Sequence, residues 1–399
     1  MPTGFTDNFN HQEKCIAMRK VAMSTSQKYF QTLLHDADII IGGNRPCDIQ
    51  VKNPRFFERV LAVGTLGLGE SYMDGWWECE ALDEFFCKVL QRQLNRTIRF
   101  NTVDICRYIQ AWLHNRQNRR RVKQVGEQHY DTGNDLFSLM LDKNMAYSCG
   151  YWQNASTLDE AQDAKLDMIC RKLQLKPGMR LLDIGCGWGS MVRYAAEKYG
   201  VEAVGITVSE EQVQLARERC EGLQVEIRLQ DYRELKGKFD AIVSVGMFEH
   251  VGYKNYRTFM EIVRKILNDN GLFLLHTIAT NHTSLNGDPW FDKYIFPNGM
   301  LPSAKQLTSA IEHHYVLEDW HNFGVYYDQT LMAWFQNFRD NWPKLHRSYG
   351  DHFYRMWSYY LLCMAGCFRA RYLHVWQVVL APNTRKTGYP SIRCPACIT

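Results

Sequence analysis

No stretch of the 399-residue chain approaches the ~18 consecutive apolar residues that span a bilayer. The longest apolar run, YYLLCMAGCF at 359–368, suits a core helix, so any membrane contact is expected to be peripheral. No secretory hydrophobic segment follows the polar start MPTGFTDNFNHQEK, and the 13 cysteines have no regular spacing. Several lie inside apolar runs, among them Cys170, Cys186 and Cys363, which predicts reduced, buried thiols in a cytoplasmic protein. Cys394 and Cys397 have CxxC spacing, but a structural zinc wants about four ligands and no second pair is near, so no metal site is expected. Internal repeats and low-complexity tracts are also missing. What is present is 46% hydrophobic residues and a net charge of only +4, a globular composition with length enough for two domains.

The small net charge hides a local excess. Between Gln91 and Gln124 stand Arg92, Arg96, Arg99, Arg107, Arg116, Arg119, Arg120, Arg121 and Lys123 against the single acid Asp104. Ile105, Tyr108, Ile109, Trp112 and Leu113 fall at helical spacing just before the densest part, which predicts a basic amphipathic helix. Such a helix serves either to pack two domains together or to seat on an anionic surface. We divide the chain accordingly into a small α+β unit (1–100), a basic linker (101–126) and a larger unit (127–399). In the first, DIQVKN (48–53) reads as a short strand, 56–63 and 81–90 as helices, and GTLGLGESYMDGWWE as a glycine-punctuated stretch.

Beyond 127 the pattern alternates. The runs RLLDIGC (180–186), EAVGITV (202–208), VEIRLQD (225–231), FDAIVSVG (239–246) and GLFLLHTIA (271–279) are separated by helix-like segments. That predicts a doubly wound α/β fold with a parallel sheet. HYVLEDWHNFG and HVWQVVLA would add an antiparallel edge and bring the count to seven strands.

After the first of these strands comes Asp183-Ile184-Gly185-Cys186-Gly187-Trp188-Gly189. Alternating glycines let a ligand approach the backbone, and the helix that follows offers unpaired N–H groups. A pyrophosphate gains nothing from an acid beside the loop, whereas the α-amino group of S-adenosylmethionine gains a partner. The pattern resembles class I methyltransferases. One usual feature is missing: the second strand ends in Thr207, not in an acid. Thr207 and Gln212 would supply neutral hydrogen bonds, or Ser209 simply caps the next helix with Gln212 at its third position. Asp231 and Tyr232, after the third strand, face either an adenine or solvent. After the fourth strand, SVGMFEHV places Glu249 where burial without a partner would cost several kcal/mol. It is paired, wet, or functional.

The chain resembles the bacterial cyclopropane-fatty-acyl-phospholipid synthases over nearly its whole length, through RVLAVGTLGLGESYMDGWWECEALDEFF, HYDTGNDLF, AYSCGYW, LDIGCGWGS, VGMFEHVG, FLLHTIAT, KYIFPNGMLPS and EDWHNFGVYYDQTLMAW. The resemblance implies methylene transfer from S-adenosylmethionine to a cis double bond in a membrane phospholipid, with bound bicarbonate as base. It assigns the bicarbonate cage to Cys149, Glu249, His276, Ile278 and Tyr327. It assigns the cofactor to Tyr147, Ser148, Asp183, Gly185, Gly187, Thr207, Gln212, Asp231 and Tyr232. Tyr147, Tyr151, Trp152 and Tyr327 are candidates to face a cationic intermediate. Family members can carry cysteine where this chain has Met364, so no cysteine nucleophile is transferred there, and Cys363, Met364 and Cys367 are read as packing. The expected partners are unsaturated phospholipids at the inner face of the membrane and a second copy of the chain, with no nucleic acid. Competing readings are a methyl-branching enzyme with the same cofactor, a nucleic-acid methyltransferase suggested by the arginine cluster, and a lipid-surface protein without activity.

Overall fold

The computed structural model describes residues 25–94 and 133–392. The first stretch folds into α1 (Thr25–His35), β1 (Gln50–Val51), α2 (Arg55–Met73), β2 (Trp77–Glu78) and α3 (Leu82–Gln91). The strand signal at 48–53 shrinks to two residues, which pair antiparallel with β2. The helix expected over 56–63 continues to Met73 through the glycine-punctuated stretch, broken only at Gly64, where φ is 61°. The basic linker, both edges of the proposed division at 100 and 126, and the Cys394/Cys397 pair lie outside the described residues.

The second stretch runs α4 (Asn134–Met140), α5 (Leu158–Lys172), β3 (Arg180–Ile184), α6 (Ser190–Tyr199), β4 (Glu202–Thr207), α7 (Glu210–Arg219), β5 (Val225–Leu229), β6 (Phe239–Val245), α8 (Tyr256–Ile266), β7 (Leu267–Thr280), α9 (Pro289–Tyr294), α10 (Ala304–Ile311), β8 (Tyr315–Asn322), α11 (Val325–Arg369) and β9 (Leu373–Pro382). The seven larger strands make one sheet in the order β5-β4-β3-β6-β7-β9-β8. β3 to β7 are parallel, as their alternation with helices predicts. The two late runs add the expected antiparallel edge. β9 inserts antiparallel between β7 and β8, and only β8 is the edge. Burial explains it, since every residue of β9 is buried while β8 exposes Val316 and Leu317.

Helices cover both faces of the sheet. α8 buries Tyr256, Phe259, Met260, Val263 and Ile266, a stripe at helical spacing, against β6 and β7. α5, α6 and α7 close the opposite face over Leu181, Ala203 and Val243. A capping box of Thr157 and Glu160 fixes the start of α5. Its far end carries a fully buried ion pair, Lys172 Nζ to Asp319 at 3.4 Å, with His321 Nδ1 3.0 Å from the same Nζ, so α5 is tied to the edge strand.

The apolar run at 359–368 is the last part of α11, a helical segment interrupted at Gly350. It is buried all round because α2 and α3 pack on it, so the first stretch shares one large core with the second. A Cβ at Gly366 would stand 2.5 Å from the Asp83 carbonyl oxygen, so glycine sets how closely α11 and α3 approach. The nine cysteines among the described residues are free and buried. Among the described residues no helix is long and apolar enough to cross a membrane, and no cluster of side chains suits a metal.

Candidate active site

Two cavities meet at the carboxyl ends of β3, β4, β6 and β7, the ends where open α/β sheets bind ligands. The first is lined by all nine residues the resemblance assigns to the cofactor. Gly185, Gly187 and Gly189 turn the chain from β3 into α6 at φ of 89°, 53° and 82°. Asp183, one residue before the end of β3, is 2% exposed, and its Oδ1 has no hydrogen-bond partner. Burial lifts its carboxyl to about 7, with the charge of Lys165 pulling the other way. A buried carboxylate oxygen that lacks a donor suits an ammonium ligand.

Thr207 Oγ1 donates to Gln212 Oε1 at 2.7 Å, and Ser209 Oγ accepts the Gln212 N–H at 3.3 Å. The helix cap and the pocket wall are therefore one arrangement. Asp231 accepts from the Arg233 backbone at 2.9 Å and from its guanidinium at 3.2 Å, and that guanidinium lies 5.2 Å from the Tyr232 ring.

The second cavity, about 390 Å³, is predominantly apolar and reaches from the sheet into the core between α1, α2, α3 and α11. Glu249, His276, Ile278 and Tyr327 stand in its wall, and Tyr147, Ser148, Gly246 and His250 border both cavities. Glu249 sits in the 3₁₀ turn Phe248–His250 that follows β6. It is neither wet nor ion-paired: it is 7% exposed, Oε1 accepts the Ile278 N–H at 2.6 Å, and Oε2 has no partner. Burial raises its carboxyl to about 7. The Ile278 amide is thus engaged in holding Glu249. Burial also pushes His276 well below its ordinary value, so the ring is neutral. Its Nδ1 lies 3.4 Å from Gln377 Nε2, an amide nitrogen that only donates, which leaves Nε2 as the protonated ring nitrogen.

Not every candidate reaches a cavity. Cys149 is fully buried, its thiol directed at the Gly150 carbonyl at 3.2 Å, and it is absent from both walls. Burial pushes this thiol up, away from thiolate chemistry. Tyr151 and Trp152 are likewise absent from both walls, Tyr151 packing on Phe323 and Trp152 donating to Thr330 Oγ1 at 2.9 Å. Cys363, Met364 and Cys367 all line the apolar cavity. Sequence reasoning missed Lys165, His250 and Tyr360. The Tyr360 hydroxyl lies 2.7 Å from that of Tyr147, and burial holds His250 down to about 4. Lys165 did leave a signal: it stands at helical spacing with Ala161 and Ile169 on the buried side of α5.

Comparison with known proteins shows the family. Residues 116–378 match the family described as mycolic acid cyclopropane synthetase. The chain belongs to this family. Cyclopropane-fatty-acyl-phospholipid synthase of Escherichia coli (strain K12) is 55% identical over 367 residues, covering 92% of this chain and 96% of that protein. The cyclopropane synthase MmaA2 from Mycobacterium tuberculosis superposes with a TM-score of 0.61 at 32% identity, covering 65% of this chain and 98% of that one. The mycolic acid cyclopropane synthase CmaA1, solved in complex with SAH and CTAB, gives the same TM-score and identity, over 65% and 97%. The fold is therefore that of the class I methyltransferases, and the family resemblance read from the sequence holds. In this cyclopropane synthetase chain Gly185 is constrained twice, by its φ and because a Cβ would meet the Met247 Cβ at 2.6 Å. Gly185→Ala is expected to raise the dissociation constant for S-adenosylhomocysteine by about tenfold or more in calorimetry, and an unchanged constant would move the cofactor away from this loop.

Proposed function

We propose that the chain is a cyclopropane-fatty-acyl-phospholipid synthase that acts on the cis double bonds of unsaturated acyl chains in membrane phospholipids. The observation that carries this reading is the junction of the two cavities: one with an orphaned carboxylate in its wall opens beside a larger, apolar one with a buried Glu–His–Tyr set. The 55% identical relative from E. coli carries the same activity in its name.

An alkene is a weak nucleophile, and the cation it forms on methylation would be trapped by water. The chain's task is therefore to exclude water and to hold the reacting groups. When bound, S-adenosylmethionine supplies an electrophilic methyl, and bicarbonate supplies a proton acceptor. Asp183, Thr207 and Gln212 would hold the first group. Glu249, His276 and Tyr327 would hold the second, and the donor set fits: a neutral imidazole N–H and a phenol donate to an anion, while Glu249 Oε2 accepts from its hydroxyl. Ile278 would act through its backbone, whose N–H holds Glu249, whereas Cys149 lines neither cavity and takes no part. The rings of Tyr147, Tyr327 and Tyr360 face the apolar cavity and stabilise positive charge without attacking it. With no spanning helix among the described residues, the chain would dock peripherally from the cytoplasmic side through its basic stretch and draw an acyl chain from the leaflet. Docking as a dimer would double the contacts.

The test is incubation with labelled S-adenosylmethionine and vesicles of unsaturated phospholipid, followed by acyl-chain analysis. The expected product carries label, is one CH₂ heavier and resists hydrogenation. A methyl-branched chain would replace the proposal with the branching enzyme, and unlabelled lipid would overturn both.

A further inference from the structure

Lys165 is a buried ammonium that the proposed reaction leaves without a task. It projects from the middle of α5 and is 1% exposed. Among the described residues its one hydrogen bond runs from Nζ to Ser148 Oγ, at 2.9 Å, and no carboxylate oxygen stands within ion-pair distance. The charged and titratable groups that act on it are Asp142, Cys149, Asp183 and His276. Asp142, the nearest candidate in sequence, has its oxygens engaged by the N–H groups of Asn144 and Ala146, at 2.8 Å each. Burial lowers Lys165 to about 8, which marks the ammonium as poorly compensated. Taking such a charge out of water costs several kcal/mol unless a counter-charge arrives.

The same cavity holds the opposite defect. Asp183 is a carboxylate lacking a donor on Oδ1, and it lines one wall with Lys165 and Ser148. A cation short of an anion and an anion short of a cation, in one pocket, form a receptor for a zwitterion. We propose that Lys165 and Ser148 together receive the α-carboxylate of S-adenosylmethionine while Asp183 receives its α-ammonium, so that the pocket reads the amino-acid end of the cofactor as a charge pair. The inference rests on the cofactor reading above. The other anion in that reading, bicarbonate, is a poorer match for Lys165. Lys165 lines only the first cavity, whereas Glu249, Ile278 and Tyr327 line only the second.

Calorimetry with S-adenosylmethionine and with decarboxylated S-adenosylmethionine decides it. The decarboxylated compound keeps the sulfonium and the amine and lacks only the carboxylate. Wild type is expected to bind it about tenfold or more weakly than the parent. Lys165→Met should weaken the parent by about 10- to 100-fold and the decarboxylated compound by less than about twofold. Ser148→Ala should show the same ligand dependence at smaller size, and Asp183→Asn should weaken both ligands. Equal losses for both ligands in Lys165→Met would show that the lysine only supports the fold, and no loss would remove it from the site. Should Lys165→Met fail to fold, wild type alone decides, because equal affinity for the two ligands overturns the proposal. Wild type that binds neither ligand would instead sink the cofactor reading itself.

Discussion

Glu249→Gln is expected to lower turnover by about 100-fold while the dissociation constant for S-adenosylhomocysteine stays within about twofold of wild type. Glutamine keeps the shape, and its carbonyl oxygen still accepts the Ile278 N–H that Glu249 Oε1 accepts at 2.6 Å. The change falls on Oε2, which has no partner, in a residue that lines only the apolar cavity. There an acceptor becomes a donor, in a cavity whose wall also holds the His276 imidazole and the Tyr327 phenol, both donors. An anion held by three donors no longer has its hydroxyl oriented, so its retention and its action as base both suffer. Stripping carbonate from the buffer is expected to slow wild type by a larger factor than the variant. If turnover is indifferent to both changes, the bicarbonate reading is wrong.

The same substitution has a signature in stability. The folded protein lifts the Glu249 carboxyl from 4.5 to about 7, so it binds that proton more tightly than the unfolded chain does. The contribution is fully present below the ordinary value and is lost as pH rises through about 7. Glutamine has no such loss. Melting temperatures of wild type and variant should therefore diverge in favour of the variant as pH rises from 4.5 to about 7 and run parallel above that, and curves parallel throughout would show that Glu249 is not buried as described.

Asp183→Asn is expected to weaken S-adenosylmethionine by about 10- to 100-fold, because the hydrogen bond lost is to a charged group. The amide retains the size of the side chain in a position only 2% exposed, which keeps the β3 terminus intact. Wild-type affinity should also depend on pH with a definite sign. Without ligand, Asp183 holds its proton up to about 7, and an ammonium binds the ionised form. Binding below that value must expel a proton, so affinity is expected to fall about tenfold per pH unit as the solution is acidified and to level off above. Titrations from about pH 6 to about pH 8 in buffers of different ionisation heat would count the proton released. The asparagine variant should lose this acid limb, and a wild-type affinity flat across the range would show that Asp183 is already ionised before ligand arrives.

The features read correctly from the sequence are those made by neighbours along the chain. DIGCGWG predicts its own loop because an acid, three glycines and a helix start are consecutive, and their backbone angles are local matters. The five parallel strands are legible for the same reason, as is the buried end of α11 in YYLLCMAGCF. The misreadings come where a distant element overrides a local signal. GTLGLGES reads as punctuation, yet α2 breaks only at Gly64 and then continues, with Gly67 allowing close contact with the Arg59 carbonyl across that break and Gly69 with the Trp290 ring.

Tertiary structure alone decided three things about the site. It placed β9 between β7 and β8, which puts Gln377 beside His276 across paired strands and so sets the histidine tautomer. It joined a pocket at the strand ends to an apolar cavity whose walls come from Phe30 at one end of the chain and Leu373 near the other. It also removed water from Asp183, Lys165 and Glu249, moving each toward neutrality. Residue type and spacing determine which groups are available and what local backbone they adopt. The protonation of a carboxylate, the orphaning of an ammonium and the dryness of a cavity depend on what packs around them, and those contacts join residues from different elements, as Lys165 with Ser148, Glu249 with Ile278 and His276 with Gln377.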